Sequence, residues 1–465
     1  MSNALSDRLA AARIGSSIAK DGKPSRRRSR LSRILVFALV IVALAGGIAA
    51  WLMPETPLQQ DARWVGSAAV FASSCLALAV GRVPGLALDR AGVALVGAAL
   101  MVACGAISLD DAYRAVDLDT LTLLLGMMIV VAHLRLSGFF SLAGGWAMRR
   151  AHHPLSLLAA ITVLAGLLSA FLMNDTICLM LTPLVVDLVR SMRRNPVPFL
   201  LAVAMASNIG STATITGNPQ NMMIASVSHL TYGDFAASLA PVAIIGLVAT
   251  LSAIAFIYRA DLRNDAPFVI QPVAPRTYNA LMLRATCGVS ALVFLLFVGL
   301  SPAKAAMIVG GLLLLTRRLK SERVYAEIDW SLLLMFAGLF VIVAAAENTL
   351  LTDAIIPSIA RLHFDSVPAL SAVVAILSNI VSNVPAVLLL KPFILTLGDQ
   401  HTAWITVAMA STLAGNFTVI GSIANLIVVR TAAARGVRIS FWSHFKVGAP
   451  LTLLTLAIGT CWLWL

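Results

Sequence analysis

Charge is what this chain has least of. Charged residues make up 12% of its 465 positions, against 59% hydrophobic. Soluble domains average about 25% charged residues, so a wholly water-soluble protein is excluded. Signatures of several enzyme classes are missing too. There is no GxxxxGK[ST] phosphate loop, no HExxH zinc helix and no GxSxG elbow, so an enzyme is not expected. The five cysteines (Cys75, Cys104, Cys178, Cys287 and Cys461) show no CxxC spacing and lie in or beside apolar segments. They read as small core residues, with no metal site or redox pair among them. Acidic residues are also few: 21 Asp and Glu against 34 Lys and Arg, a net charge of +13. That surplus could suit nucleic acid. The basic residues, however, cluster in short connections between apolar runs, as they do in cytoplasmic loops, and a nucleic-acid partner is set aside.

What the chain has in abundance is apolar runs long enough to cross a bilayer. Eleven read as full spans: 34–53, 64–82, 91–107, 118–138, 197–227, 234–258, 278–300, 302–316, 329–346, 402–433 and 443–465. Two further stretches, 155–189 and 367–398, are too long for one span. Polar residues and a later proline interrupt each, which predicts re-entrant hairpins that enter and leave on one side. Residues 1–33 carry Arg8, Arg13, Lys20, Lys23, Arg26, Arg27, Arg28, Arg30 and Arg33. They read as a disordered basic cytoplasmic tail able to touch anionic lipid.

Loop charges test this count. With the tail inside, Arg82, Arg90, Arg135, Arg149, Arg150, Arg259, Arg263, Arg276, Arg317, Arg318, Lys320, Arg323, Arg430, Arg435 and Arg438 all fall inside. The acidic 108–118 and 347–366 fall outside. RSMRRNP at 190–196 falls inside only if 155–189 is re-entrant. The expected fold is an all-α polytopic membrane protein of eleven spans and two hairpins, N-terminus cytoplasmic and C-terminus periplasmic, in a bacterial inner membrane.

The sequence also repeats itself. VAMAS occurs at 203–207 and at 407–411, 204 positions apart. At that offset Thr214 matches Thr418, Gly217 matches Gly421 and Asn221 matches Asn425. Asn174 and Pro183 match Asn383 and Pro392 at an offset of 209, and Asp119 matches Asp329 at 210. The predicted units are an unpaired first span at 34–53, repeat 1 at 64–258, a cytoplasmic linker at 259–277 and repeat 2 at 278–465. Five crossings per unit, an odd number, invert the second copy. Inverted repeats are a secondary-transporter architecture, with the site at the repeat interface near the midplane.

Unwound backbone survives in a membrane only where it is buried or lines a cavity. Four polar breaks qualify: Met173–Thr176, Ser207–Asn221, Ser382–Pro385 and Ser411–Asn425. Gly210, Gly217, Pro219, Gly415 and Gly421 allow the chain to leave helical geometry there. A lone Asn or Ser in a span is ordinarily helix-to-helix glue, whereas four symmetric breaks point to binding. Half-helix N-termini suit an anion and freed carbonyls a small cation. The candidate substrate residues are Asn174, Asp175, Thr176, Thr214, Ser382, Asn383 and Thr418. The candidates for a coupling ion or loop support are Ser207, Asn208, Gly217, Asn218, Asn221, Ser411, Gly415, Asn416, Gly421 and Asn425. Asp175 could carry a proton or neutralise a cation. Lys391 is a candidate anion partner, or a side chain reaching the outer interface. His133 and Glu347 read as structural.

At these residues the chain resembles the ion-transporter superfamily: arsenite permeases, NhaD-type sodium/proton antiporters, and divalent anion/sodium symporters with their citrate-transporter-like relatives. NDTICLMLTP, SNIGSTATITGNPQN, SNVPAVLLLKP and GNFTVIGSIAN carry the resemblance, which covers residues 64–465 and is closest to bacterial anion permeases. It implies elevator-type alternating access, coupling to Na+ or H+, often a homodimer, and no cofactor. A separate ATPase partner stays open, because some arsenite permeases associate with one. Dicarboxylate symporters carry Ser-Asn-Thr at each hairpin tip. Here the tips read Met173-Asn174-Asp175 and Ser382-Asn383-Val384, so only the asparagines match in both. The expected function is ion-coupled transport of a small anion. The alternative is arsenite or antimonite efflux, or sodium/proton antiport, on the same scaffold.

Overall fold

A computed structural model describes residues 57–80, 88–149, 153–263, 278–350 and 364–465. The basic tail, the first span at 34–53 and most of the 259–277 linker lie outside the described residues. Those described are helical, with no strand among them.

Among the described residues, sixteen helices fall into two matching runs. The first comprises α1 (Pro57–Val80), α2 (Arg90–Ala103), α3 (Leu118–Ser137), α4 (Pro154–Phe171), α5 (Asn174–Ser191), α6 (Val197–Ser211), α7 (Pro219–Ser228) and α8 (Tyr232–Ile257). The second comprises α9 (Asn279–Phe297), α10 (Pro302–Leu314), α11 (Trp330–Leu350), α12 (Val367–Val381), α13 (Asn383–Ile394), α14 (Gln400–Ala414), α15 (Ile423–Ala434) and α16 (Phe441–Trp464). Further helices at Leu109–Ala115, Phe139–Arg149 and Ser321–Tyr325 occupy stretches that the sequence reads as loops. Six described helices are long and apolar enough to cross a membrane: α3, α4, α8, α9, α11 and α16.

Local sequence explains the boundaries. Asp89 accepts the Gly92 N–H at 2.8 Å to start α2, and Thr231 accepts that of Asp234 at 3.1 Å to start α8. Prolines stand in the first turn of α4, α6, α7, α10 and α12, where a missing N–H costs nothing. Ahead of α14, the Thr402 N–H holds the Asp399 carboxyl below the usual carboxylate range.

The spans expected at 197–227 and 402–433 are not continuous helices. Each breaks after α6 or α14, passes through a single 3-10 turn (Ile215–Gly217 or Val419–Gly421) and restarts as α7 or α15. The helices leave helical geometry at or beside the glycines named above. None of Gly210, Gly217, Gly415 and Gly421 takes a positive φ. Three of them permit close approach: a Cβ on Gly210 would overlap the Gly166 carbonyl of α4, one on Gly217 would overlap that of Ser211, and one on Gly421 would lie 2.9 Å from the Gly415 carbonyl oxygen and from Asn379 Oδ1. The left-handed residue is Ser382, φ +79° and ψ +160°, the single link between α12 and α13. The α4–α5 hairpin turns through Leu172 and Met173 instead.

Helix packing divides the protein into two bundles. The first contains α1–α3 and α9–α11. A Cβ on Gly126 would lie 2.7 Å from the Ala306 carbonyl carbon, and one on Gly338 would lie 2.6 Å from that of Ala94. Residues 126 and 338 are 212 apart, as are 94 and 306, so the two contacts are reciprocal. Helix starts obey the same offset, 90 with 302 and 118 with 330. This shifts the sequence match of Asp329 from Asp119 to Asp117. Asp117 accepts the Thr120 N–H at 3.3 Å and Asp329 accepts the Leu332 N–H at 3.0 Å, each starting its helix.

The second bundle contains α4–α8 and α12–α16. Here Gly246 of α8 meets Ile209 of α6, and Gly459 of α16 meets Met409 of α14. Among the described residues, every close glycine contact between different long helices stays within one bundle. At one end of the protein, Arg190 donates to the Arg435 and Gly436 carbonyls (2.5 and 3.0 Å), Asn195 donates to Asp261 (3.2 Å), and Arg135 pairs with Glu327. At the other end Trp462 donates to the Ser238 carbonyl at 2.9 Å, and the Tyr232 and Phe297 rings meet edge to face.

Candidate functional site

Four helices begin around one cavity. Asn174 and Asp175 open α5, and Asn383, Val384 and Pro385 open α13. Pro219 and Gln220 open α7, and Ser422 and Ile423 stand at the start of α15. The first turn of a helix presents unbonded N–H groups and the positive end of its dipole. All four helices belong to the second bundle. The opposite wall comes from the first bundle: Leu78, Arg90, Leu332 and Met335. Arg90 and Asp175 face the cavity without closing an ion pair on each other, although the two charges interact electrostatically.

Behind the cavity lies a buried amide network. Asn208 Oδ1 accepts from Asn174 Nδ2 at 3.0 Å and from the Ser422 hydroxyl at 3.1 Å. Asn208 Nδ2 donates to Asn416 Oδ1 at 2.8 Å and to Asn425 Oδ1 at 3.2 Å. One side chain therefore ties both halves together. Asn416 also donates to the Met205 carbonyl at 3.1 Å, and its own carbonyl meets His444 Nε2 at 3.1 Å.

The breaks are braced in matching ways. Asn221 Nδ2 donates to the Ser211 and Thr214 carbonyls (3.1 and 2.9 Å). Asn425 Nδ2 donates to the Gly415 and Thr418 carbonyls (2.8 and 3.1 Å). Every residue of the second set lies 204 positions after its mate. Asn218 caps α7 and also reaches the Thr412 hydroxyl at 3.1 Å. Ser207 donates to the Asn174 carbonyl at 3.1 Å, while the Ser411 carbonyl accepts from Ser378 at 3.2 Å. Ser378 also holds Asn383 Oδ1 at 2.7 Å, which fixes the second tip.

The structure gathers Asn174, Asp175, Ser382 and Asn383 at the cavity and sets the other candidates apart from it. Thr214 donates to the Ala170 carbonyl within the second bundle, and the Thr418 carbonyl is taken by Asn425. Thr176 lines a neighbouring cavity together with Asp175, Asp329, Arg135 and Glu327. Lys391 lies outside both and interacts with Glu347.

Sequence reading missed Gln220, Ser422 and Arg90. Ser422 was within reach, being 204 positions after Asn218. Arg90 looks like any other basic loop residue, and only the fold brings it to the hairpin tips.

A second cavity lies at the opposite end of the first bundle. α2 and α11 run parallel, with 94 beside 338 and 97 beside 342. α3 and α10 pair in the same way through 126 and 306, and the Arg135–Glu327 pair sets the end of α3 beside the start of α11. The tip cavity therefore sits where α2 and α11 begin. The second sits where α3 and α10 begin, lined by Asp119, Leu123, His229, Tyr232, Leu296 and Pro302 among others.

Comparison with known proteins agrees with this architecture. The citrate transporter family model, CitMHS, matches residues 75–414. An uncharacterised transporter of Mycobacterium tuberculosis is 31% identical over 81% of this chain and 94% of its own length. The silicon efflux transporter LSI3 of Oryza sativa subsp. japonica is 29% identical over 81% of this chain and 93% of its own. The YdaH transporter of Alcanivorax borkumensis, solved by crystallography, shares the fold: TM-score 0.55, 12% identity, covering 77% of this chain and 86% of YdaH. With apolar helices long enough to span a bilayer, this chain is a multi-pass membrane transporter that belongs to the citrate transporter (CitMHS) family.

Proposed function

We propose that this protein carries a small anion across the membrane, coupled to Na+ or H+, by moving its second bundle past its first. One observation carries the reading: four helix N-termini and the Arg90 guanidinium converge on one cavity whose walls come from both bundles. N-termini and a guanidinium both favour negative charge. Glycine contacts confined within bundles support rigid-body motion, since each bundle is locked internally while, among the described residues, no such contact ties one to the other. The reciprocal Gly126–Ala306 and Gly338–Ala94 contacts support two inverted repeats.

The proposed sidedness puts the Arg-rich end in the cytoplasm. Contacts support it: Arg190 with Arg435, Asn195 with Asp261 and Arg135 with Glu327 each join two segments assigned inside by loop charge. Trp462 with Ser238 and Tyr232 with Phe297 join segments assigned outside. Eleven spans, two re-entrant hairpins and an inner-membrane location belong to the same proposal. For the coupling ion, Asp175 is the candidate proton carrier. Asn221 Oδ1 and Asn379 Oδ1, buried without a hydrogen-bond partner, are acceptors of the kind a small cation would use.

A second reading is efflux of a weak oxyacid, such as arsenite or silicic acid. It is favoured by Asp175, which offsets Arg90 and would repel a dianion, and by the likeness to a silicon efflux transporter. The test is flux in proteoliposomes against citrate, sulfate, phosphate and arsenite, with Na+ and pH gradients applied in turn. Asn174→Ala and Asn383→Ala are expected to abolish flux while leaving protein in the membrane. Normal flux in both variants would sink the proposal, and arsenite-only transport would select the second reading.

A further inference from the structure

The two cavities of the first bundle are mates under the 212-residue offset, and they are not alike in charge. Arg90 starts α2 and lines the tip cavity. Its mate, Pro302, starts α10 and lines the cavity at the other end. Met335 of the tip cavity likewise has Leu123 as its mate there. If the second bundle moves as proposed above, its tips leave the α2–α11 end and arrive at the α3–α10 end. They then exchange a guanidinium neighbour for a proline ring. Among the described residues lining the far cavity there is no Arg or Lys, and Asp119 is present. The substrate groups themselves, Asn174, Asp175, Ser382 and Asn383, travel with the moving bundle and contribute at both ends. The difference between the two sites is therefore written into the stationary wall.

We infer that Arg90 makes the cytoplasm-facing site the tighter of the two, so that the protein loads an anion from the cytoplasm and releases it outside: it is built for export. This rests on the moving-bundle reading and extends it to direction. Affinity asymmetry does not drive net flux, which the coupling gradient must do. It decides on which side the carrier fills at low concentration. By linkage, a bound anion holds the protein in the inward-facing state in the ratio of the two affinities. Arg90 supplies a charge-assisted partner with up to five donors. The loss of one hydrogen bond to a charged group is worth about tenfold in affinity or more.

The experiment measures half-saturation from each face, in right-side-out and inside-out membrane vesicles, with radiolabelled citrate, sulfate, phosphate and arsenite as probes. For the probe that is carried, the cytoplasmic face is expected to saturate at about tenfold lower concentration than the outer face. Arg90→Gln should raise the cytoplasmic value about tenfold and leave the outer value within about twofold. Arg90→Lys, which keeps the charge, should restore most of the difference. A merely structural Arg90 would change both faces alike, and that result, or equal values on the two faces of the native protein, overturns the inference while leaving transport intact. If none of the four probes moves in either orientation, the anion-site reading falls and this inference falls with it.

Discussion

Asn208 donates to Asn416 across 2.8 Å in the buried interior, joining the break of one half to the break of the other. Its four hydrogen bonds use both amide protons and both oxygen lone pairs. Asn208→Ala therefore strips a partner from Asn174, Asn416, Ser422 and Asn425 at once. Each buried polar group left unpaired costs about 1–3 kcal/mol. A large fall in detergent melting temperature is expected, together with loss of flux. Asn208→Asp sets a carboxylate oxygen against the Asn416 and Asn425 oxygens in a buried site, so it should destabilise at least as much. Native-like melting of Asn208→Ala would show that the two halves are joined elsewhere.

Gly210→Ala should fail to fold, because its Cβ would overlap backbone that cannot retreat, the Gly166 carbonyl. Gly415→Ala is the matched control. Its Cβ would lie 3.2 Å from the Ser422 Cβ and the Thr412 carbonyl, a contact that small shifts relieve. The check is monodisperse protein recovered after size exclusion, expected to be near zero for the first and close to native for the second.

Ser382 holds a backbone conformation that is nearly confined to glycine, at a cost of about 1–3 kcal/mol. Ser382→Gly is expected to raise the melting temperature modestly if relief of strain outweighs the added chain entropy, and to raise half-saturation because Asn383 is held less firmly. A lower melting temperature would mean that the Ser382 side chain matters more than its φ.

The proposed motion between the bundles can be stopped chemically. Leu332 on α11 and Val384 on α13 line one cavity from opposite bundles. With Cys75, Cys104, Cys178, Cys287 and Cys461 replaced by Ala or Ser, Leu332→Cys with Val384→Cys should cross-link through a short bifunctional thiol reagent and lose flux. Cleaving the linker should restore it. Full flux in the cross-linked protein would show that transport does not need the bundles to part.

The fold was legible in proportion to how far each signal depended on pattern. Apolar runs and the 204 offset predict the breaks because helix length and duplication are one-dimensional properties. Asn221 and Asn425 were readable as a pair for the same reason, and they brace matching carbonyls. Thr214 and Thr418 matched equally well, yet they lie outside the cavity, since sequence offset reports equivalence and not the direction of a side chain. Arg90 was the opposite case. Nothing in its neighbourhood distinguishes it from Arg82, and its meeting with Asp175 needs α2 to pack beside a hairpin that begins some sixty residues later. The true mate of Asp329 was likewise two residues away from the best identity match, because a capping role follows the helix start.

The reciprocal Gly126–Ala306 and Gly338–Ala94 contacts bring main chain against main chain, with no side chain between to change rotamer. The width of the first bundle is thereby set by van der Waals radii alone. If the second bundle moves as proposed, the first keeps its helix spacing throughout the cycle, and the change falls on the seam between the two.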